Sequence, residues 1–315
     1  MCRRNDFQHS HGEKLMNRFF TNYFLTHWTN VFFGAQLDIR GLVRLAKKVN
    51  AGLDLVPWED WTTVKLNNVP LGSVLPDMGK KSDGTNWDPF APGMNDPALF
   101  DRVHGAIDLA LDRAAAAQMK YVIVFSGMAT LESRSAQWQR IVRGYIEVKN
   151  GQKESLIQKA ERLKIVLMME MLNSVGDPKT WQGHPGILAN NYQEMVESCV
   201  LPIGSAWFRT AFDAYHVAMM RSDPVKMVEL YPKVIGYVHL AGIVMNGIDT
   251  YAPTNRGPLN AVDQIIDIPG LMQTLAQHVP PTTPILLEHL PHADNYVDVA
   301  DDIEASIALC ESWRK

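Results

Sequence analysis

Cysteine is scarce in this chain: three in 315 residues, Cys2, Cys199 and Cys310, far apart and odd in number. With no CxxC pair, a disulfide framework and a structural zinc knuckle are both disfavoured, and a reducing, cytoplasmic location is expected. No apolar run reaches the length of a membrane-spanning helix, so no membrane partner is expected. An excess of either charge is lacking too. The formal net charge is −4, which leaves no electrostatic footprint for nucleic acid or an anionic surface. The glycine-rich phosphate turn that a doubly wound dinucleotide-binding sheet wants after its first strand is also missing. Arg3-Arg4 lacks the apolar core and small-residue cleavage site of a twin-arginine signal. Asp6, Gln8, His9, His11 and Glu13 follow it instead, so residues 1–17 read as a polar N-terminal extension to a single domain, 18–315.

What the chain does have is apolar material: 46% hydrophobic against 20% charged residues, enough for a large core. Its organising stretch is Leu163–Ser174, LKIVLMMEMLNS. Seven apolar residues in the eight positions 165–172 read as a strand buried on both faces, as in a parallel sheet covered by helices. Glu170 interrupts them. A buried carboxylate calls for a cation, a metal or a proton. Three later runs carry the same interruption near their carboxyl ends: Asp213 in WFRTAFDAYH, His239 in VIGYVHLAG and Glu288 in PILLEHLP.

Alternating patterns surround these runs. Strands are expected within 18–33, at 53–56, at 69–75 and at 121–125, and helices over 36–48, 58–66, 98–118 (capped by Asp96-Pro97) and 133–163, the last broken near Asn150-Gly151. Beyond Glu170, helices are expected over 185–199, 223–230, 269–278 and 295–313. Two long loops, 76–96 and 242–263, have the length of lids or binding loops. Trp87 and Phe90 in the first suit a cover over a site and a packed-down loop equally. Eight strands, each followed by a helix, imply a parallel sheet with right-handed crossovers. The fold expected is α/β, a (β/α)8 TIM barrel with its site at the carboxyl ends of the strands.

Glu170, Asp213, His239 and Glu288 fall at that level. Taken singly, each has a plainer explanation, as a helix cap or a satisfied core histidine. Four on successive strands favour one divalent metal ion with positions open to substrate oxygens. Mn²⁺ or Mg²⁺ suits the donors first, with Co²⁺, Ni²⁺ or Zn²⁺ as alternatives. His216, three residues past Asp213, is placed for a substrate oxygen or for a helix cap, and His184 is a loop histidine at the rim.

These residues resemble the xylose-isomerase-like barrels, and within them the hydroxypyruvate isomerase and sugar isomerase–epimerase group. The marks are LDLVPWEDW (53–61), PGMNDPALFDRV (92–103), YVIVFSG (121–127), MEMLNS (169–174), DPKTWQGH (177–184), FDAYH (212–216), GYVHLAG (236–242) and LLEHLP (286–291). The resemblance implies a metal held by Glu170, Asp213, His239 and Glu288. It also implies that Glu170 and Glu288 are catalytic, moving a proton between adjacent carbons through a cis-enediolate. His216, His184, Asn173 and Arg256 complete the implied substrate-binding set. Two arginine-bearing segments of hydroxypyruvate isomerases have no counterpart here: Ser126-Gly127 runs into Met128-Ala129-Thr130, and the loop after the seventh strand holds one arginine, Arg256. A carboxylate substrate wants a bidentate cation, so neutral, sugar-like substrates gain ground.

The expected activity is isomerisation of a small hydroxy-carbonyl compound, hydroxypyruvate-like or a short sugar. A ketose 3-epimerase or keto-sugar lyase using the same groups is the alternative. A metal-dependent nuclease would want more histidines and a basic groove, and a barrel without chemistry would not need all four ligands. The expected partners are a small-molecule substrate and, by the resemblance, a second or further copy in a dimer or tetramer.

Overall fold

The computed structural model describes residues 23–26, 38–175, 183–243, 256–257, 259–260, 264–288 and 296–313. The expected extension, 1–17, and most of the loop 242–263 lie outside them. Eight strands run in parallel: β1 Tyr23–Thr26, β2 Gly52–Asp54, β3 Ser73–Val74, β4 Tyr121–Val124, β5 Val166–Glu170, β6 Phe208–Asp213, β7 Ile235–Leu240 and β8 Ile285–Leu287. They pair in the order β2-β1-β8-β7-β6-β5-β4-β3. The remaining gap is bridged where Leu53 pairs with Leu71. Leu53 N–H donates to Pro70 O and Gly72 N–H to Leu53 O, both at 2.9 Å. The protein is a (β/α)8 barrel.

Strand periodicity sorts the side chains into two cores. Leu167, Met169, Val238 and Leu287 point outward and pack under helices. Phe24, Ile123, Met168, Ala211, Tyr237 and Leu286 point inward and fill the barrel. Because side chains alternate, the residue two positions further on also faces inward, one layer higher. On five consecutive neighbours that residue is Phe125, Glu170, Asp213, His239 and Glu288. On β5, β6, β7 and β8 the apolar filling ends and the polar set begins at that one step, whereas β4 keeps an apolar residue, Phe125, there.

The helices on the outside are α1 Ile39–Lys48, α2 Trp61–Leu66, α3 Phe100–Ala117, α4 Arg134–Ile146, α5 Leu156–Leu163, α6 Tyr192–Met195, α7 Leu201–Ile203, α8 Ala214–Met219, α9 Pro224–Leu230, α10 Ile268–His278 and α11 Tyr296–Trp313. Three differ from the pattern expected. Helix α3 begins at Phe100 rather than Ala98, because Asp96 Oδ1 accepts from Ala98 N–H at 2.8 Å in a tight turn that delays the helix. The helix expected from Pro185 begins at Tyr192, where Asn191 caps it by accepting from Glu194 N–H. It continues through a π turn, Val196–Val200, into α7. Residues 186–189 instead lie along the end of β4: Leu188 N–H donates to Gly127 O, Ala189 N–H to Ser126 Oγ, and Ala129 N–H to Gly186 O. The third is α8, an unexpected helix directly after Asp213.

The turn after β4 admits no side chain. Gly127 has φ +80°, and a Cβ on Gly93 would stand 1.9 Å from Ser126 O. That close crossing anchors the long loop 76–96 against the barrel rim.

Asp54, at the end of β2, is a fully buried carboxylate facing the barrel interior. Its Oδ1 accepts from Leu55 N–H at 2.7 Å and from Ser73 N–H and Ser73 Oγ at 2.5 Å, and its Oδ2 accepts from the Tyr237 hydroxyl. It thus ties β2, β3 and β7 together across the weakest seam of the barrel. Asp54→Ala should cost about 3 kcal/mol or more, since three buried donors and the half-buried Leu55 N–H lose their acceptor. Ser73→Ala should cost about 1 kcal/mol. Urea unfolding checks both, and a loss at Asp54 no larger than at Ser73 would contradict the seam assignment.

Candidate metal centre

Four strand ends deliver the polar set. Glu170 closes β5, Asp213 closes β6, His239 is the penultimate residue of β7, and Glu288 follows β8, its N–H held by Leu240 O at 3.0 Å. Asp213 and His239 are direct register partners, and Leu286 pairs with His239 on the other side. Glu170, Asp213, His239 and His216 are all buried. Their donor atoms form two groups sharing Asp213: Glu170–Asp213–His216 and Asp213–His239–Glu288, each with its ligand atoms within 4.8 Å of one another.

His239 sits at the centre. Its Nδ1 lies 3.0 Å from Glu170 Oε1 and 3.6 Å from Glu288 Oε2. The ring is turned so that neither nitrogen makes an aligned hydrogen bond, although both are buried. A buried imidazole amid three carboxylates, ion-paired through Nδ1 but without an aligned hydrogen bond, is an arrangement in which a divalent cation can take the place of the ring proton. Burial is the largest influence on Glu170 and pushes its carboxyl up to about 7, against the opposing pull of His239. For His239, burial favours the neutral ring. The charges of Glu170 first, then Glu288 and Asp213, outweigh it and lift the imidazole to about 10. The residues present fit a divalent ion: hard carboxylate oxygens, one borderline nitrogen and, among the described residues, no competing lysine or arginine in the cavity lining.

His216 stands differently. Asp213 caps α8, its Oδ1 accepting from His216 N–H at 3.1 Å, and this turn folds the imidazole back over the carboxylate, with Nε2 3.5 Å from Asp213 Oδ2. On the other edge, Nδ1 accepts from Asn173 N–H at 3.2 Å, with the Asn173 side-chain amide 2.8 Å away. A ring nitrogen that accepts from a backbone N–H carries no proton, so the neutral ring bears its hydrogen on Nε2. Such a histidine is suited to donating a hydrogen bond rather than to ligating a metal through that atom. Asn173 is buried behind His216 and is not among the residues lining the cavity.

The cavity over this set has a volume of about 50 Å³. His184 lines it with Phe90, Phe125, Leu55, Leu75 and Leu172. His184 N–H donates to Asn173 O at 2.9 Å, and Phe90 stacks edge-on against both Phe125 and His184, with centroids 4.8 and 4.7 Å apart. The two aromatics of the long loop therefore divide the roles that the sequence left open. Phe90 walls the site, whereas Trp87 packs on the outer core between Arg102 and Lys81. For Arg256 only the backbone is described; it pairs with Ile243 in a short antiparallel ladder at the foot of the loop 242–263.

Two residues escaped the sequence reading. Asp54 carries the same signal as Glu170, a carboxylate ending an apolar strand, but protein donors satisfy it. Leu55 lines the cavity with φ +55°, and nothing in a leucine codon position announces a left-handed backbone.

No protein-family model and no curated protein sequence matches the chain. Solved structures do. An AP endonuclease, family 2, from Brucella melitensis aligns with TM-score 0.66 at 16% identity, covering 94% of this chain and 100% of that one. The 3-keto-D-glucoside 4-epimerase of E. coli aligns at 0.62 and 13%, covering 93% and 99%. The IOLI protein, solved with a bound zinc atom, aligns at 0.58 and 12%, covering 92% and 96%. Identities this low speak for architecture alone: the chain has the fold of the xylose-isomerase-like (β/α)8 barrels.

Proposed function

We propose that this protein is a divalent-metal-dependent isomerase or epimerase acting on a small neutral hydroxy-carbonyl compound. The observation that carries the reading is the convergence of Glu170, Asp213 and Glu288 on the buried imidazole of His239 at the barrel mouth. A divalent ion held there by these four side chains would supply Lewis acidity, polarising a carbonyl and acidifying the adjacent C–H. With the ion bound, Glu170 is held as the carboxylate, the form that can take that proton. Returning it to the neighbouring carbon interconverts aldose and ketose. Delivery by Glu288 from the opposite face inverts the carbon instead. Nε2–H of His216, oriented by Asn173 and Asp213, is the donor to a substrate oxygen, and His184 with Phe90 excludes water from above. Arg256 completes the substrate-binding set, and Mn²⁺ or Mg²⁺ is the ion expected.

Hydroxypyruvate is the less favoured substrate, because Arg256 is the one arginine assigned to the site and the described lining adds no second cation for a carboxylate. The name of the epimerase relative points the same way, to a keto-sugar. A nuclease reading, which the endonuclease relative would prompt, is opposed by the net charge of −4.

Two outcomes are expected. With Mn²⁺ present, deuterium from D₂O should enter at least one ketose of a panel. Glu170→Gln and Glu288→Gln should each slow that exchange by about a hundredfold or more while metal content is held saturating. Exchange that persists in both variants would remove the glutamates from the reaction. Metal affinity should also report the two raised groups. Between pH 7 and 8.5 His239 alone must shed a proton, so log Kd should change by about one per pH unit. Below pH 7 Glu170 is protonated too and affinity should fall by about two logs per unit. Calorimetric titration reads the slope, and a slope that stays flat through pH 7 would contradict the charge assignment.

A further inference from the structure

A second cavity, of about 230 Å³, lies beside the metal-site cavity and shares two residues with it, Leu55 and Leu75. Those two side chains are the partition. The smaller chamber, at about 50 Å³, suits the reacting carbonyl end of a substrate but not a whole sugar. Together the two approach the lower end of small-molecule sites, about 300 Å³. The larger chamber is formed by the turn after β2 (Leu55, Val56, Pro57, Trp58), the long loop (Pro76, Asp77, Pro89) and Arg113 of α3.

Its chemistry is specific. Trp58 is 51% exposed, a large fraction for tryptophan, with the Arg113 guanidinium 5.2 Å over its ring. Arg113 is paired with Asp77 at 3.4 Å, and both remain partly exposed. The wall therefore offers donors and acceptors while carrying no net charge, which suits a neutral polyol better than an anion. The indole face that Arg113 does not cover is flat and apolar and suits the C–H side of a sugar ring. Three prolines make the lining rigid, so little ordering entropy opposes binding. The partition itself is held under strain. Leu55 stands at φ +55°, a conformation costly for a leucine, and its N–H is fastened to Asp54 Oδ1. That buried carboxylate thus fixes the wall that separates the chambers.

We infer that the Trp58–Arg113–Asp77 chamber is a second subsite, which takes the distal sugar ring of a glycosylated ketose whose carbonyl end enters the metal site past Leu55 and Leu75. The inference rests on the reading of that site as one for keto-sugars, and names the substrate class as a glycoside rather than a free monosaccharide. Leu55 is then the specificity-determining residue at the junction.

Binding tests it apart from turnover. Calorimetry and saturation-transfer NMR on the Mn²⁺-loaded protein would compare D-fructose with its glucosides maltulose, turanose and isomaltulose, in wild type, Trp58→Ala and Arg113→Ala. At least one glucoside should bind about tenfold or more tightly than fructose, and that preference should collapse about tenfold in Trp58→Ala. Saturation should reach the glucosyl protons in wild type and be lost in the variant. Fructose binding as well as every glucoside, or a preference unchanged in both variants, would overturn the subsite while leaving the metal-site reading in place. No saccharide of either size binding would overturn both.

Discussion

Charge buried in an apolar barrel is the constraint on which the rest of the arrangement depends. Three carboxylates meet one imidazole at a level where the residues just below are Met168, Ala211, Tyr237 and Leu286. Like charges in a low-dielectric setting repel strongly, and burial alone already drives Glu170 towards its protonated form. His239 offsets part of that repulsion by holding its proton to about 10. A divalent ion would offset more. The strand ends, the Asp213 cap and the Asn173–His216 pair all serve to hold these groups together against their tendency to separate.

Much of this was legible in the residues. Strand alternation is a period-two code, so Glu170, Asp213, His239 and Glu288 within apolar runs mark inward positions at strand ends, and counting eight strand–helix units leads to a barrel. Asp54 shows where the same code stops. It interrupts an apolar strand just as Glu170 does, but its donors come from Ser73, Leu55 and Tyr237, nineteen, one and 183 residues away, as only the folded chain reveals. Helix starts failed for a related reason. Asp96 and Pro185 look like helix openings, yet Asp96 is engaged by Ala98 N–H, and the stretch after Pro185 hydrogen-bonds along the end of β4. Helix α8 was hidden because AYHVAM reads as a continuation of the strand's apolar run. What makes it a helix is Asp213 serving as its cap.

Local and global choices agree at Asp213 in a way that bears on chemistry. One carboxylate ends β6, caps α8, joins both groups of ligand atoms and orients His216. Its position makes the pairing of a metal ligand with a proton-donating histidine a consequence of a single strand-to-helix turn. Asp54 does parallel work one seam away, closing the barrel and fastening Leu55, the residue between the two chambers. Both are short-range devices that convert barrel geometry into the shape and charge of the cavity.

The central claim is that Glu170, Asp213, His239 and Glu288 hold one divalent ion. The most direct measurement is anomalous diffraction from crystals grown with Mn²⁺. The account predicts one strong peak at the barrel mouth, within about 2.0–2.4 Å of a nitrogen of His239 and of oxygens from all three carboxylates. It predicts no such contact with Nε2 of His216. A peak ligated by His216 in place of His239, or full-occupancy manganese elsewhere with none between these strands, would contradict it.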